Sequence, residues 1–301
     1  MHTTTESINH KTSPSTFYSD LKQLTKVGLS LSVVFSSLAG YLLATETINF
    51  TTLTLLGIGG FLMVGASNAF NQIIEKDTDA LMKRTMNRPL PTGRMNVSTA
   101  LIIAFSFTIV GLTILYNINE KSALFGAISI FLYTSVYTPL KSMTPLSVFV
   151  GALPGAIPFM LGWVAATNTF GIEPGMLFLI QFFWQFPHFW AIAWLQFDEY
   201  KKAGFNLMPM GVKNKKAVVQ IILYTVCLIL VSIIPVLKKT GSFYIYPITA
   251  VILVGLGSIM LFYAFKLYKH QTDKEARQLM LSSVLYITII QIVYVVDKFL
   301  H

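Results

Sequence analysis

The sequence is poor in cysteine and in charge. Cys227 is the single cysteine among 301 residues, which excludes an intrachain disulfide. Charged residues make up 12% of the chain, and only 13 of them are acidic; an average soluble domain has about 25% charged residues. The first 20 residues contain neither arginine nor an apolar core, so we expect neither a transit peptide nor a cleaved signal peptide there.

Hydrophobic residues, by contrast, make up 54% of the chain. They are concentrated in stretches of about 20 residues, the length that an α-helix needs to cross the hydrocarbon core of a bilayer. The sequence therefore predicts an all-α integral membrane protein with nine transmembrane helices, in a single domain over residues 23–301 that follows a flexible tail over residues 1–22. The predicted spans lie near residues 27–45, 51–74, 98–116, 122–140, 146–166, 175–195, 217–237, 243–264 and 279–297.

Lysine and arginine are unevenly distributed between the predicted loops. If the N-terminus lies in the cytoplasm, 18 of the 22 basic residues fall on the cytoplasmic side, as the positive-inside rule predicts. The net charge of +9 is then explained by topology and by contact with anionic lipid. We therefore expect membrane lipid as a partner, and no nucleic acid.

Polar side chains at helical spacing follow the second predicted span. Asn71, Glu75 and Asp79 are each four residues apart, with Asp77 between the last two. On a helix, side chains at this spacing lie above one another on one face, and carboxylate oxygens there suit a hard cation such as Mg²⁺. The pattern predicts a metal site, and a solvated loop whose charges pair with one another is the alternative.

A basic cluster follows the acidic one within a few residues. It contains Arg84, Arg88 and Arg94, and arginine forks bind phosphate oxygens in a bidentate manner. If this segment is helical, Arg84 and Arg88 are about one turn apart. The two clusters together favour a metal-bridged diphosphate as the ligand.

The fourth and fifth predicted spans add aromatic and kinked segments. The fourth ends in Tyr133, Tyr137 and Lys141, a spacing that places two phenol rings and an ammonium group on one helix face. An interfacial aromatic belt is the alternative interpretation of the tyrosines. The fifth contains Pro154 and Pro158 among small residues, a composition that allows close helix packing or kinks around a cavity.

The sixth predicted span contains a histidine and leads into a second acidic loop. Of the five histidines only His188 lies within a span, and Asp198 and Glu199 follow it. An ionisable residue in the bilayer is a candidate functional residue, whereas an interhelical hydrogen bond is the alternative for a lone histidine. Since both acidic loops fall on the predicted cytoplasmic side, we expect them to cover one polar chamber that is open to lipid for an apolar substrate.

These features together resemble the UbiA superfamily of intramembrane prenyltransferases over nearly the whole chain. The shared features are nine helices, an Asn-x-x-x-acid-x-x-x-Asp motif after the second, Tyr-x-x-x-Lys at the end of the fourth and an acidic loop after the sixth. Gln72 and Glu75 stand where many members carry aspartates, and His188 lies near a position where members carry an acid. The segments similar to the protohaem IX farnesyltransferase branch are 87–94, 137–141, 153–158 and 184–189.

The resemblance implies a fold, a reaction and its substrates. A central cavity between the helices would bind farnesyl diphosphate and haem B, with Mg²⁺ as the divalent cofactor. Farnesyl would be added, with water, to a haem vinyl group to give haem O for terminal oxidases. Haem B is then a substrate and not a prosthetic group, and haem A synthase is a further expected partner.

The resemblance also implies roles for individual residues. The implied metal ligands are Glu75 and Asp79, completed by Asp198 or, as the alternative, Glu199. The other implied roles are metal orientation by Asn71, diphosphate binding by Arg84, Arg88 and Lys141, shielding of the allylic cation by Tyr133 or Tyr137, and contact with the porphyrin by His188.

Two other functions are compatible with the sequence. A prenyltransferase that acts on an aromatic quinone precursor would share the metal site. A secondary transporter would also place polar groups between kinked helices around a midplane site. The charges cluster at one membrane boundary with little acid at mid-depth, which argues against the transporter.

Overall fold

A computed structural model describes residues 16–301, in which no β-strand occurs. Nine helical segments of this part of the chain are long and apolar enough to cross a membrane, which confirms the predicted all-α membrane fold. The helices are α1 Phe17–Thr25, α2 Val27–Ala44, α3 Phe50–Ile74, α4 Lys76–Asp79, α5 Val97–Ile118, α6 Glu120–Phe131, α7 Thr138–Leu140, α8 Ser147–Thr167, α9 Ile172–Leu195, α10 Phe197–Lys202, α11 Lys215–Ile233, α12 Pro247–His270 and α13 Asp273–Leu300. The fourth segment, Glu120–Leu140, is continuous through α6, a π-helical stretch and α7.

The start of the folded domain lies earlier than residue 22. Helix α1 begins at Phe17, and its N-cap Thr16 accepts a hydrogen bond from the backbone N–H of Ser19 at 3.3 Å. Leu24 is fully buried, because the apolar face of this short helix packs on α3. Residues 17–22 therefore belong to the domain, and the rest of the predicted tail, residues 1–15, lies outside the described residues.

Asparagine fixes where four of the membrane helices begin. Each cap residue has an extended backbone, and its side-chain oxygen accepts a hydrogen bond from the backbone N–H three residues later, which satisfies one of the unpaired donors of the first turn. These caps are Asn49 for α3, Asn96 for α5, Asn119 for α6 and Asn214 for α11. The predicted span boundaries agree with these positions to within a few residues.

The nine membrane helices form two groups. Helices α2, α3, α5 and α6 pack in sequence, and α9, α11, α12 and α13 form a second ring. Helix α8 joins the groups because it packs on α2, α6 and α9, and contact between α2 and α13 closes the bundle. Helices α1, α4, α7 and α10 all lie at one end of this bundle, called here the site end.

The contact between α2 and α8 depends on two glycines. A Cβ atom added to Gly40 would overlap with the backbone carbonyl of Phe159, and one added to Gly162 would overlap with the carbonyl oxygen of Ser37. Small residues at helix interfaces allow backbones to approach closely in a membrane. Gly40 of α2 and Gly162 of α8 thus permit the close packing that the small residues of the fifth span suggest.

We expect Gly162→Ala to destabilise the protein, by roughly 1–3 kcal/mol for an overpacked contact. The clash is with backbone atoms of α2, which cannot rotate away. Gly57→Ala in α3 is the matched control, because a Cβ at Gly57 meets no atom within 4 Å. Thermal denaturation in detergent should show a lower Tm for Gly162→Ala and an unchanged or raised Tm for Gly57→Ala; equal Tm values would contradict the assigned role of the α2–α8 contact.

Candidate active site

The acidic motif crosses a break between two helices. Helix α3 ends at Ile74, and α4 begins after Glu75. The N–H of Glu75 still donates to the carbonyl of Asn71 at 2.9 Å, and the N–H of Asp79 donates to the carbonyl of Glu75 at 2.7 Å. Hydrogen bonds between residues four apart therefore continue through the break. Asn71, Glu75 and Asp79 are buried while Asp77 is exposed, so the solvated-loop alternative does not hold for these three side chains.

Each of the two buried carboxylates is paired with a cation. Lys141 Nζ lies 2.7 Å from Glu75 Oε1, and Arg88 Nη1 lies 2.6 Å from Asp79 Oδ2. Burial raises the pKa of the Asp79 carboxyl, and Arg88 opposes this effect. Burial alone would lower the pKa of Lys141, but Glu75 and nearby phenols hold it above its ordinary value. Because burying charge is costly even in pairs, two such pairs side by side indicate a functional centre.

One carboxylate oxygen of this cluster is left without a partner. Asp79 Oδ1 is buried and accepts no hydrogen bond from residues 16–301, and an unsatisfied buried acceptor of this kind is costly. A bound cation would satisfy it, so Glu75 and Asp79 fit Mg²⁺, which prefers carboxylate oxygens. Within the described residues, however, no three acids, histidines or cysteines are assembled as a metal-binding group.

The second acidic loop contacts the first through Glu199. Its Oε2 accepts a hydrogen bond from the backbone N–H of Lys83 at 2.6 Å, and its Oε1 accepts one from Lys202 at 2.7 Å. These two donors lower the pKa of Glu199. Asp198 is exposed. The two loops thus meet at the site end as expected, with Glu199 joining them and Asp198 apart from Glu75 and Asp79.

The three arginines of the basic cluster have separate positions. Residues 80–96 form turns and not a helix, so Arg84 and Arg88 do not share a face. Arg88 points into the cluster, whereas Arg84 is exposed and makes no hydrogen bond or ion pair to any residue that the structure describes. Arg94 donates to Asp20 of α1 at 3.0 Å and to the carbonyl of Asn87 at 2.9 Å, so it holds α1 in place.

Lys26 belongs to the same charged cluster, and the sequence interpretation missed it. It lies between α1 and α2 with a φ of 46°, in the left-handed region that few residues other than glycine adopt. Burial lowers the pKa of Lys26 to about 7, helped by Arg88 and Lys141 and opposed by Glu75 and Asp79. The sequence alone identifies Lys26 only as one of the basic residues that determine the membrane topology. Its left-handed conformation turns the chain between the two helices, and no residue pattern in the sequence predicts this turn.

Two amides of α3 hold the surrounding helices. Asn71 Nδ2 donates to Thr138 Oγ1 of α7 at 3.3 Å. Gln72 Nε2 donates to the carbonyl oxygens of Gln23 and Leu24 at the end of α1, at 3.0 and 2.8 Å. Gln72 therefore secures the end of α1 beside the charged cluster.

Tyr133 and Tyr137 lie on a π-helical segment, Leu132–Tyr137, between α6 and α7. Their ring centroids are 5.3 Å apart, and Lys141 Nζ lies 4.7 Å from the centroid of Tyr137. The predicted grouping of two phenols and an ammonium is thus observed. Gly151 of α8 makes room for this arrangement, since a Cβ there would lie 2.6 Å from the Tyr137 ring. Isolated π-helical turns occur frequently at functional sites.

His188 lies on α9 and contacts α13. Its Nδ1 is 2.8 Å from Ser283 Oγ, and its ring stacks on Trp184 with centroids 4.7 Å apart. The interhelical hydrogen bond considered in the sequence analysis is therefore present. His188 as a whole residue is half-buried.

A cleft of about 520 Å³ lies beside the charged cluster and is lined in part by Tyr200, Lys201, Phe205 and Lys213. Its wall is attached to the cluster, because the N–H of Asn206 donates to the carbonyl of Lys141 at 2.9 Å and Lys141 Nζ lies 5.8 Å from the Phe205 ring centroid. One wall of this cleft is thus joined to the charged cluster through Lys141.

Comparison with known proteins identifies close relatives. The model of the UbiA prenyltransferase family matches residues 33–289. A protoheme IX farnesyltransferase of Flavobacterium psychrophilum is 64% identical over 287 residues, which cover 94% of this chain and 96% of the relative. A protoheme IX farnesyltransferase of Cytophaga hutchinsonii is 45% identical over 279 residues, which cover 92% and 96%.

Solved structures share the fold at low sequence identity. A digeranylgeranylglyceryl phosphate synthase aligns with a TM-score of 0.77 and 17% identity, covering 93% of this chain and 98% of that one. A UbiA homologue from Archaeoglobus fulgidus, bound to DMAPP and Mg²⁺, aligns with a TM-score of 0.70 and 16% identity over 93% and 98% of the two chains. At this level of identity the structures support the arrangement of the helices alone.

Proposed function

The chain belongs to the UbiA prenyltransferase family, and we infer from its relatives that it is a protohaem IX farnesyltransferase. It transfers the farnesyl group of farnesyl diphosphate to a vinyl group of haem B, and the addition of water gives haem O and diphosphate. Relatives of that name match over almost the full length of the chain. The structural observation that best supports this function is the pair of buried carboxylates, each joined to a cation, at one end of a membrane bundle.

The proposed cofactor is Mg²⁺, held by Glu75 and Asp79. The unpartnered Asp79 Oδ1 supports this assignment, as does the Mg²⁺ in a structural neighbour. When bound, the ion neutralises charge on the diphosphate and polarises its oxygens. Asp198 remains the proposed third ligand because both oxygens of Glu199 already have partners. Since Asp198 lies apart from Glu75 and Asp79, the second acidic loop would have to bring it to the ion when substrate binds.

Arg88 and Lys141 are the proposed ligands of the diphosphate, and Lys26 joins them. Arg84, the third ligand predicted from the sequence, is exposed and outside the charged cluster, so Lys26 takes its place in the proposal. The positive charges of Arg88 and Lys141 are held beside Asp79 and Glu75 before substrate binds, and Lys26 lies close enough to interact electrostatically with all four groups. As the allylic C–O bond breaks, its electron pair moves to the diphosphate oxygen, and prepositioned cations stabilise the charge that develops there. The cluster thus favours ionisation over simple binding of the intact ester.

The farnesyl cation then reacts with the haem vinyl group. The vinyl π electrons form the new C–C bond, water adds to the resulting carbocation, and loss of one proton from that water leaves the hydroxyl of haem O. Tyr133 is the better candidate to shield the allylic cation through its ring face, because the Tyr137 ring already has Lys141 over it and packs against Gly151. His188 is the proposed contact to the porphyrin.

The site end is proposed to face the cytoplasm of a bacterial cell. The excess of lysine and arginine in the loops of this end supports that orientation. Farnesyl diphosphate, a water-soluble head on an apolar chain, would then reach the cluster from the cytoplasmic boundary. Haem A synthase is the proposed further partner, as the enzyme that would take up the haem O formed here.

Arg88→Lys should raise the KM for farnesyl diphosphate by roughly tenfold, because an ammonium group cannot reproduce the bidentate fork of arginine. Arg84→Lys is the matched control, because Arg84 is exposed and lies outside the charged cluster. The KM of this variant for farnesyl diphosphate should stay near the wild-type value. Steady-state kinetics at saturating haem measures both. An unchanged farnesyl diphosphate dependence in Arg88→Lys, with altered haem dependence, would move Arg88 to the haem propionates.

The function is tested by offering purified enzyme, farnesyl diphosphate and Mg²⁺ two acceptors in separate reactions. Chromatography and mass spectrometry should detect haem O with haem B and no prenylated product with 4-hydroxybenzoate. Prenylation of 4-hydroxybenzoate alone would identify a quinone-precursor enzyme. Absence of diphosphate release with either acceptor would argue for a transporter.

A further inference from the structure

Helix α13 supplies one residue, Ser283, that contacts two aromatic side chains of α9. Ser283 Oγ lies 2.8 Å from His188 Nδ1, and the Ser283 carbonyl accepts a hydrogen bond from Trp184 Nε1 at 2.6 Å. Trp184 and His188 are one helical turn apart and their rings stack with an interplanar angle of 17°. Ser283 is fully buried. The imidazole ring is therefore held on one edge by a hydroxyl and on one face by an indole that the same residue fixes.

The direction of the hydrogen bond between Ser283 and His188 follows from a third contact. Ser283 Oγ is also 2.6 Å from the carbonyl oxygen of Met280, which can only accept. The single hydroxyl hydrogen of Ser283 is thus donated to Met280, and the hydroxyl oxygen accepts from His188. His188 Nδ1 must then carry the imidazole hydrogen, which leaves Nε2 as the unprotonated nitrogen with a lone pair.

We propose that Ser283 is a positioning residue that fixes the Nδ1–H tautomer of His188, so that Nε2 is presented as an axial ligand to the iron of the haem substrate. This inference rests on the proposed function. No hydrogen bond to Nε2 is made by any residue from 16 to 301, and His188 as a whole residue is not fully buried. Histidines that bind metals in proteins donate their other N–H to an acceptor in this way, which orients the ring and raises its basicity.

The geometry goes beyond what an interhelical contact requires. A hydrogen bond that only joined α9 to α13 could run in either direction and would need no stacked indole. Here the Met280 carbonyl sets the direction and the Trp184 ring sets the plane of the imidazole. These two contacts determine which imidazole nitrogen is free and where its lone pair points, and both properties matter for binding to iron.

The test uses full-length protein in detergent, titrated with haem B in the absence of farnesyl diphosphate. The variants are Ser283→Ala, which removes the acceptor, Ser283→Thr, which keeps a hydroxyl, and His188→Ala, which removes the ligand. Ser282→Ala is the matched control, since Ser282 is also buried on α13 and its hydroxyl donates only to the Leu279 carbonyl. The readouts are the Soret absorption, the haem Kd and the iron–imidazole stretching band of the ferrous complex.

We expect Ser283→Ala to raise the haem Kd by about 10–100-fold, the usual effect of losing the partner of a metal-binding histidine. Its iron–imidazole band should shift, because the ligand loses the hydrogen bond at Nδ1. Ser283→Thr and Ser282→Ala should match wild type, and His188→Ala should lose the imidazole-ligated spectrum.

Two results would overturn the proposal, and they differ in whether His188 is still assigned as the iron ligand. If Ser283→Ala kept the wild-type haem affinity and spectrum while His188→Ala lost both, His188 would remain the ligand but Ser283 would have no positioning role. A wild-type spectrum in His188→Ala would remove the ligand itself. The enzyme's function is followed separately by haem O formation at saturating haem, so failure of the ligand assignment is not confused with failure of the farnesyl transfer.

Discussion

Asp79→Asn is expected to lower haem O formation by at least about 100-fold, the scale on which loss of a single charge-stabilising group acts in an active site. Asp79 is the only carboxylate of the described cluster with a buried oxygen that lacks a partner. Asparagine has nearly the same shape but presents a neutral oxygen and an N–H₂ donor, so it cannot replace an anionic metal ligand. The loss should appear as turnover per mole of folded enzyme, with helicity and elution volume unchanged.

Asp77→Asn is the matched control for this prediction. Asp77 lies in the same short helix, α4, but its side chain is exposed, so the variant should keep wild-type turnover. Glu75→Gln should behave like Asp79→Asn. If Asp79→Asn and Glu75→Gln both formed haem O at near-wild-type rates with limiting Mg²⁺, the metal assignment would be wrong.

Lys141→Met is expected to eliminate turnover and also to destabilise the protein. Its ammonium group lies 2.7 Å from Glu75 Oε1, and both side chains are about nine-tenths buried. Removal of one partner of a buried ion pair typically costs about 3–5 kcal/mol, because the other charge is left uncompensated. Thermal denaturation in detergent should therefore show a clear decrease in Tm.

The double variant Glu75→Gln/Lys141→Met separates stability from catalysis. It removes both charges, so the Tm should recover toward the wild-type value while haem O formation stays absent. Recovery of activity in the double variant would show that the ion pair serves only the fold. A wild-type Tm in the single Lys141→Met variant would show that the 2.7 Å contact does not form in the protein.

The membrane helices could be predicted because each is specified locally. A run of about 20 apolar residues defines the span, and a cap such as Asn96 or Asn214 defines where it begins. The spacing of Asn71, Glu75 and Asp79 could be predicted for the same reason, since it depends only on the geometry of one helix and survives the break at Glu75.

Contacts between distant segments could not be predicted. Lys26 joins the charged cluster because α1 turns sharply into α2, and Arg84 and Arg88 separate because the segment between α4 and α5 consists of turns. Ser283 is 95 residues from His188 and is one of many serines in apolar helices. In each case the residue type is visible in the sequence, but its partner is determined by tertiary packing.

The charged cluster at the site end is proposed to ionise farnesyl diphosphate for transfer to haem. The most direct measurement counts diphosphate released and haem O formed by the purified enzyme, with haem B and Mg²⁺ each supplied or omitted. We expect one diphosphate per haem O when haem B and Mg²⁺ are both present, and neither product when either is omitted. Both products should fall at least about 100-fold in Asp79→Asn. Diphosphate release that is independent of haem and of Asp79, or haem O formation without Mg²⁺, would contradict the claim.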